Sequence, residues 1–457
     1  MTTPVYLALG SNLGNRLDEL QQAVERLGTE LAIEAISPVY ETAPWGIEEQ
    51  PNFYNLCLRG RTRLDPRGLL AKCKEVEQSL GRKAGPRYGP RLIDVDILYY
   101  GRKRYDEDGL TVPHPRLAER AFVLAPLADI AAEFEDPLRK KTVAELLAAL
   151  DTTGIEQLGP DVRVRRPIWP AWGIKTYVMG ILNATPDSFS GDGVLQREGE
   201  RARLVSEDAI GAAVAQAQSF VEAGADVIDI GAESTRPGSQ PISPDEEMAR
   251  LIPIVAAVRA AVDVPISVDT YRADVAEAAL ESGGDWINDV WALRMDRGMG
   301  ELVAHSGCPV ILMHNRSRPK NVAQEARLGG RYEGIEYDDL LNDIENELRA
   351  SLNTALESGI QLEQIMLDPG IGFGKTVSQN LTLLRRLDAF KALGRPLLAG
   401  PSRKSFIGYT LELPPEQRME GTAAAVAIAI DRGADIVRVH DVKEMVRVAR
   451  MTDAIVR

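Results

Sequence analysis

Asp94 and Asp96 stand one residue apart inside an apolar run, IDVDILYY. At spacing two on a β-strand both carboxylates face the same way, as a site for two hard cations on a polyphosphate requires. Such a pair in isolation is more often a solvated strand face. Here it is preceded by GPR and followed by TVPH, and those flanks reverse the reading.

A second pattern fills the last 280 or so residues. Eight short apolar runs recur there, YVMGIL, DVIDI, PISV, WIN, PVILM, QIML, PLLA and DIVRV, and each is followed by polar residues that a buried strand avoids. These are Asn183; Asp229 and Glu233; Asp269; Asn288 and Asp289; His314; Asp368; Ser402, Arg403 and Lys404; and Arg438 and His440. Any one of them reads equally well as a capped loop. Together they place polar groups at the C-terminal end of every strand, the face that carries the active site in α/β barrels, and burying so many unpaired groups would cost about 1–3 kcal/mol each.

The elements that position these residues follow from periodicity. Helical stretches separate the eight runs, among them Arg201 to Glu222, Pro244 to Val262, Tyr337 to Ser358 and Thr422 to Asp431. Continuous apolar strands belong to a sheet buried on both faces, and eight β/α units of this length predict a closed (β/α)8 TIM barrel, with a doubly wound open sheet as the alternative. Residues 1 to about 150 instead mix three or four strands with amphipathic helices from about Arg16 to Leu27 and from Pro66 to Leu80, which predicts a small ferredoxin-like α+β domain with helices on one face. The class is thus α/β overall, divided into 1–158, a Pro-, Trp- and Arg-rich linker at 159–174 (GPDVRVRRPIWPAWGI), and 175–457.

Bulk properties limit the partners. The 457 residues are 44% hydrophobic and 26% charged with a net charge of −14, which predicts globular domains and no general surface for nucleic acid or anionic membranes. The longest strongly apolar stretch, Ala423 to Ile430, is far short of the ~20 residues a membrane span needs, and MTTPVYLALG shows no leader pattern. Cys57, Cys73 and Cys308 form no C-x-x-C pair, consistent with the cytoplasm and with neither a disulfide scaffold nor a zinc site.

NATPDSFS (183–190), ESTRPGS (233–239), SVDT (267–270), INDV (287–290), DPGIGFGK (368–375), GPSRKS (400–405) and RVHD (438–441) together resemble the dihydropteroate synthase family over the whole of 175–457. DPGIGFGKT alone mimics a phosphate-binding P-loop, but Pro369 stands where its first glycine belongs. The resemblance implies condensation of a pterin diphosphate with 4-aminobenzoate. It implies pterin contacts from Asp269, Asn288, Met313, Asp368 and Phe373; donors to the ring from Lys404; stabilisation of the leaving diphosphate by Arg438 and His440; and one Mg2+ at Asn183. Thr235, Arg236 and Ser405 would bind substrate, the 4-aminobenzoate carboxylate lying at the helix start by Ser405. A carboxylate such as Asp368 suits a pterin independently of the name, because it can accept two parallel hydrogen bonds from the amino-pyrimidinone edge. The Gly-, Ser- and Pro-rich loops 186–193 and 234–241 read as lids or as ordinary mobile loops.

ALGSNLG (8–14), ETAPWG (41–46), NFYN (52–55), GPRLIDVDIL (89–98) and LTVPHPR (110–116) resemble 6-hydroxymethyl-7,8-dihydropterin pyrophosphokinase. That resemblance implies ATP held with two Mg2+ by Asp94 and Asp96, phosphate contacts from Arg82 and Arg91, nucleotide contacts from Glu77 and His114, and a pterin pocket of Pro44, Trp45, Asn55 and Phe122. Diphosphoryl transfer is chiefly positioning and charge neutralisation, so arginines and metal ions suffice without a covalent nucleophile. Two departures from the family pattern concern GRKAGPRYGPR, which is one residue short with Lys83 and Ala84 where another arginine is common, and Tyr88 in place of a tryptophan. After His314 the chain continues NRSRPKNVAQEARLGG, longer than the family's usual turn. The whole reads as a bifunctional folate enzyme, a homodimer through its barrel; the alternatives are an active synthase half alone, or a pterin-binding methyltransferase-like barrel.

Overall fold

Alternation in Thr3–Ser11 (β1) buries Val5, Leu7 and Leu9 on one face. The structure, a computed structural model, describes residues 2–44, 49–82, 89–107, 109–159, 161–184, 206–233, 242–317, 321–325, 327–333 and 336–457, which divide into two units, 1–174 and 175–457.

In the first unit β1 pairs antiparallel with Phe53–Thr62 (β4) on one side and Asp94–Tyr100 (β5) on the other. Leu31–Ile36 (β2) and Tyr40–Thr42 (β3) share the far edge of β4, and Ile155–Gln157 (β8) extends β3; Tyr105–Glu107 (β6) and Leu110–Val112 (β7) form a separate hairpin. The sheet therefore has six strands rather than three or four, because β3 and β8 are only three residues long, too short for a hydrophobic period to show. Helices Arg16–Leu27 (α1) and Pro66–Ser79 (α2) cover Val5, Leu7, Leu9 and Val95. Ala121–Ala131 (α3) and Val143–Leu147 (α4) pack on the opposite face around Tyr6, Cys57 and Leu98. Both faces are covered, not one, since the α3 segment AFVLAPLADIA buries Val123 through Leu127.

The stretch expected to be a free linker is packed against this unit. Val164 is 3% exposed and belongs to its core. Gln21 on α1 accepts from the Arg165 amide at 2.8 Å and donates to the Arg165 carbonyl at 3.3 Å. Prolines and arginines give the stretch no periodicity, so its seat is invisible in the sequence.

The second unit has eight parallel strands taken in chain order around the sheet. They are Tyr177–Asn183 (β9), Val227–Gly231 (β10), Ile266–Asp269 (β11), Trp286–Asp289 (β12), Val310–Met313 (β13), then, beyond a hairpin of Val322–Glu325 (β14) and Gly329–Tyr332 (β15), Ile365–Asp368 (β16), Leu398–Ala399 (β17) and Ile436–Val439 (β18). A parallel bridge between Leu367 and Leu397 joins the two ends. The sheet is a barrel, and the open-sheet alternative falls. The hairpin explains the long stretch after His314.

Helices Glu207–Ala223 (α5), Pro244–Ala261 (α6), Ala273–Glu281 (α7), Gly298–Ser306 (α8), Leu340–Glu357 (α9), Val377–Arg385 (α10), Ser405–Leu411 (α11), Met419–Asp431 (α12) and Val442–Val456 (α13) surround it. Their starts follow capping chemistry: Ser243 accepts from the Glu246 amide at 3.2 Å, with Pro244 in the first turn and acidic residues after it. The barrel's entry is fixed by Thr176, whose amide and hydroxyl each donate to Asp453 on α13 at 2.7 Å. Among the described residues no helix is long and apolar enough to cross a membrane.

Candidate active sites

The first site is built across the centre of the six-stranded sheet. Gly10 of β1 stands in register between Asp94 of β5 and Asn55 of β4. A Cβ at Gly10 would lie 2.9 Å from Asn55 Oδ1, so the absent side chain lets the amide crowd this row. Asn55 is buried and donates to Thr42 Oγ1 at 2.8 Å.

Asp94 is bridged by two guanidinium groups, Arg82 to Oδ1 and Arg91 to Oδ2, both at 2.6 Å. Asp96 accepts from Arg120 at 3.0 Å and faces His114 Nε2 at 3.8 Å. Burial lowers the His114 pKa below its ordinary value, with the Asp96 carboxylate acting against that shift. Two carboxylates on one strand face, each already matched by arginine, suit Mg2+ bridging to a polyphosphate: the metal takes oxygen donors and keeps several waters, and the arginines match phosphate oxygens. Among the described residues no group of three or more His, Cys, Asp or Glu side chains gathers to hold a metal alone.

Glu77 differs from its sequence reading as a nucleotide contact. It is 2% exposed and accepts from the Val95 amide at 2.9 Å while pairing with Lys74 and Arg82. Its carboxylate is thus taken up in fixing β5 between the two aspartates and in aiming Arg82. Arg120 is the residue that sequence reasoning missed: no motif contains it, and it reaches Asp96 from 24 positions away. Phe122, half-buried, has the Arg120 guanidinium 5.8 Å from its ring centre. Pro44 follows β3, while Trp45 and the segment 83–88 lie outside the described residues.

The second site lies at the C-terminal ends of the barrel strands. Arg438 on β18 donates through Nε to Asp229 at 2.6 Å and through a terminal nitrogen to Asp269 at 2.8 Å. Asp229 on β10 is fully buried and also accepts from Asn288 on β12 at 3.3 Å. Strand ends 59 to 209 positions apart in the chain are thereby tied into one cluster. Burial pushes the Asp269 carboxyl up to about 7, Arg438 opposing the shift and Asp229 adding to it. Asp229 is named by its strand position in the sequence but not among the site residues; its alternation within DVIDI gives no sign of the pairing.

Asp368 closes β16, and its Oδ1 accepts from the Gly370 amide at 2.7 Å. Burial raises its pKa, against the pull of Lys404. Lys404 donates to the Ile371 carbonyl and lies with Nζ 4.3 Å from the Phe373 ring centre. Its stem occupies the space over Gly372, where an added Cβ would be 2.4 Å from Lys404 Cδ. Burial pushes the Lys404 ammonium down to about 7. Met313 is buried beside Asp368 in strand register. Ser402 Oγ is 3.0 Å from His440 Nδ1 and accepts from the His440 amide at 3.1 Å. Arg403 turns away, in left-handed backbone at φ 54°, to pair with Asp441 at 3.0 Å. Ser405 is the first residue of α11, and Asn183 ends β9 half-buried.

Three strand-end residues prove structural. Asp289 accepts from the amides of Trp291 and Leu293 at 2.8 and 2.7 Å. Glu233 accepts from Tyr271 at 3.1 Å and pairs with Arg272 at 3.0 Å. His314 meets Lys375, considered below. Thr235, Arg236 and the loops 186–193 and 234–241 lie outside the described residues.

Comparison with known proteins agrees with this geometry. Residues 179–440 match the family described as pterin binding enzyme, and residues 6–132 match 7,8-dihydro-6-hydroxymethylpterin-pyrophosphokinase. A mitochondrial folate synthesis bifunctional protein of Arabidopsis thaliana is 38% identical over 99% of this chain and 83% of its own length. The dihydropteroate synthase of Bacillus subtilis is 45% identical over 61% of this chain and 88% of its own. A crystal structure of dihydropteroate synthase from Clostridium difficile, solved in the presence of pteroic acid, superposes with a TM-score of 0.55 at 44% identity, covering 63% of this chain and 98% of that one. With the carboxylate pair on an antiparallel sheet and the ion cluster at a barrel mouth joined in one polypeptide, the chain belongs to the family of bifunctional folate synthesis proteins, a hydroxymethyldihydropterin pyrophosphokinase fused to a dihydropteroate synthase.

Proposed function

We propose that the two halves perform consecutive transfers in folate synthesis. The first passes a diphosphoryl group from ATP to 6-hydroxymethyl-7,8-dihydropterin; the second condenses the resulting pterin diphosphate with 4-aminobenzoate to give 7,8-dihydropteroate and diphosphate. The observation that carries this reading is the fusion itself: an arginine-paired Asp94/Asp96 site precedes, in one chain, a barrel whose strand-end groups Asp368, Lys404 and Arg438 suit the product of that site.

In the first step the hydroxymethyl oxygen attacks the β-phosphorus of ATP, the bond from that phosphorus to the α-phosphate oxygen breaks, AMP departs, and the hydroxyl proton passes to solvent. Bound Mg2+, two ions held by Asp94 and Asp96, would neutralise the triphosphate. Arg82, Arg91 and Arg120 then turn from the carboxylates toward phosphate oxygens, so catalysis is positioning and charge compensation. Asn55, whose side-chain oxygen lies along the Gly10 row while its amide is fixed by Thr42, and Phe122 orient the pterin.

In the second step the amine of 4-aminobenzoate takes the place of diphosphate on the pterin's exocyclic methylene. The C–O bond breaks, a C–N bond forms, and the amine loses a proton to solvent. Asp368 and Asn288 hold the ring's polar edge, Lys404 donates to it from the opposite side, and Arg438 with His440 receives charge on the departing diphosphate. Asn183 supplies an oxygen for the single Mg2+ there, and Ser405 a donor to the benzoate carboxylate. The chain acts in the cytoplasm, a reading supported by three cysteines that are all free and buried. It pairs as a homodimer through the barrel, supported by apolar side chains left exposed on α12 and α13, Ile428, Met451 and Ile455.

The test is a coupled assay with hydroxymethyldihydropterin, ATP, Mg2+ and labelled 4-aminobenzoate. Labelled dihydropteroate is expected. A dead reaction rescued by preformed pterin diphosphate would remove the kinase half from the proposal, and one not rescued would remove the synthase.

A further inference from the structure

Lys375 is a lysine side chain buried beside the second site, 2% exposed. Its Nζ lies 2.9 Å from His314 Nδ1, 2.9 Å from the Gly370 carbonyl and 3.0 Å from the Phe373 carbonyl. These three partners occupy the nitrogen completely and leave no N–H for a substrate; burial draws its pKa well below the ordinary lysine value. On its other side the His314 ring lies with Nε2 3.1 Å from Glu347 Oε2, a close contact without hydrogen-bond geometry. Glu347 is in turn gripped by Arg316 Nε at 2.8 Å.

All these contacts converge on the segment that bears Asp368 and Phe373. Gly370 adopts φ +73°, and a Cβ there would stand 1.8 Å from the His314 carbonyl oxygen; backbone rests directly on backbone, with no side chain to adjust the fit. Asn380 then closes the far end, accepting from the Gly372 amide at 2.6 Å and donating to the Lys375 carbonyl at 3.1 Å. The loop 368–375 is therefore held from the buried Lys375 nitrogen at one end and from Asn380 at the other.

We propose that Lys375 is a positioning residue for pterin recognition, holding Asp368 and Phe373 in their binding geometry through its contacts with His314 and with the Gly370 and Phe373 carbonyls. The inference rests on Asp368 as a pterin partner and extends it to groups that touch no ligand.

The test uses the full chain and calorimetric titration with 6-hydroxymethylpterin diphosphate, well below the unfolding temperature. Lys375→Met keeps the bulk and removes every donor; His314→Leu removes the acceptor; His314→Asn places an amide oxygen where Nδ1 was. Lys375→Met and His314→Leu are expected to bind roughly 10- to 100-fold more weakly, and His314→Asn within about threefold of the parent. Unweakened binding by a folded Lys375→Met overturns the proposal, as does His314→Asn binding no better than His314→Leu, which would make the histidine a packing residue. If Lys375→Met does not fold, the two His314 variants decide alone. A parent protein that fails to bind the probe would overturn the reading of Asp368 and this inference together, whereas binding unaffected by all three variants overturns this inference only.

Discussion

Asp368→Asn separates binding from stability. The substitution is nearly isosteric, and asparagine Oδ1 can still accept the Gly370 amide now held at 2.7 Å, so the loop has no reason to move. The second oxygen becomes an NH2, a donor set against the donor edge of the pterin. The loss comprises one charge-assisted hydrogen bond, about 1.5–3 kcal/mol, and an opposed donor, about 1–3 kcal/mol. Some of this is offset because a neutral group no longer has to be desolvated. A net of about 2–4 kcal/mol corresponds to a ~30- to ~1000-fold weaker Kd for the pterin diphosphate. The folded protein should respond oppositely: burial already raises the Asp368 pKa, so removing the charge relieves that burden and the unfolding temperature should hold or rise. Calorimetric titration paired with thermal unfolding measures both quantities. Affinity within threefold of the parent would refute Asp368 as a pterin partner, and a fall in affinity matched by an equal fall in stability would refute the claim that the two are separable.

Asp96→Ala should abolish the kinase step to below a tenth of the parent rate at saturating Mg2+, since Asp94 alone cannot orient two cations; single-substrate kinase kinetics on the full chain check this. Lys404 is held at about 7 against an ordinary 10.5, a depressed value, so its contribution to stability is present in full above 10.5 and is lost as pH falls through about 7. Unfolding midpoints measured from pH 6 to 10 should therefore rise with pH in the parent more steeply than in Lys404→Met, and parallel curves would contradict this. A kinase fragment ending at 174 should be more stable than one ending at 158, which lacks Val164 and the Arg165 contacts to Gln21; equal denaturant midpoints would count against the packed strap.

The barrel is legible in the sequence because its strands are apolar on both faces and end abruptly in polar residues; position alone puts Asp269, Asn288, Asp368, Lys404 and Arg438 at strand ends, and the family resemblance supplies the roles proposed for them. The pairing of Asp94 and Asp96 is legible for the same reason: strand period fixes it locally. Contacts made across the fold are not. Arg120 reaches Asp96 from 24 positions away, Asp229 meets Arg438 across 209 positions, and the burial of Lys375 inside a glycine-rich motif has no local signal. Glu77 is misread for a related reason. Helical spacing leaves it on a polar face, and only the approach of β5 encloses it. The seat of the stretch 159–174 is hidden by composition, because prolines and arginines conceal the two valines, Val162 and Val164, that pack on the core.

The carboxylates of the first site are already neutralised, Asp94 by Arg82 and Arg91 and Asp96 by Arg120. Cation and nucleotide therefore arrive by exchange of partners rather than by capture. A divalent ion coming alone must displace guanidinium groups that then have nowhere to go, and a bare triphosphate must pull the same arginines from carboxylates left uncompensated. With Mg2+ on the aspartates and the triphosphate on the arginines, as proposed, each ligand would remove the obstacle to the other, and the net charge of the pocket would hardly change while every ionic contact in it did. Occupancy should accordingly be steeply mutual, weak for either component by itself and strong for the pair, and less sensitive to ionic strength than the number of charges involved would lead one to expect.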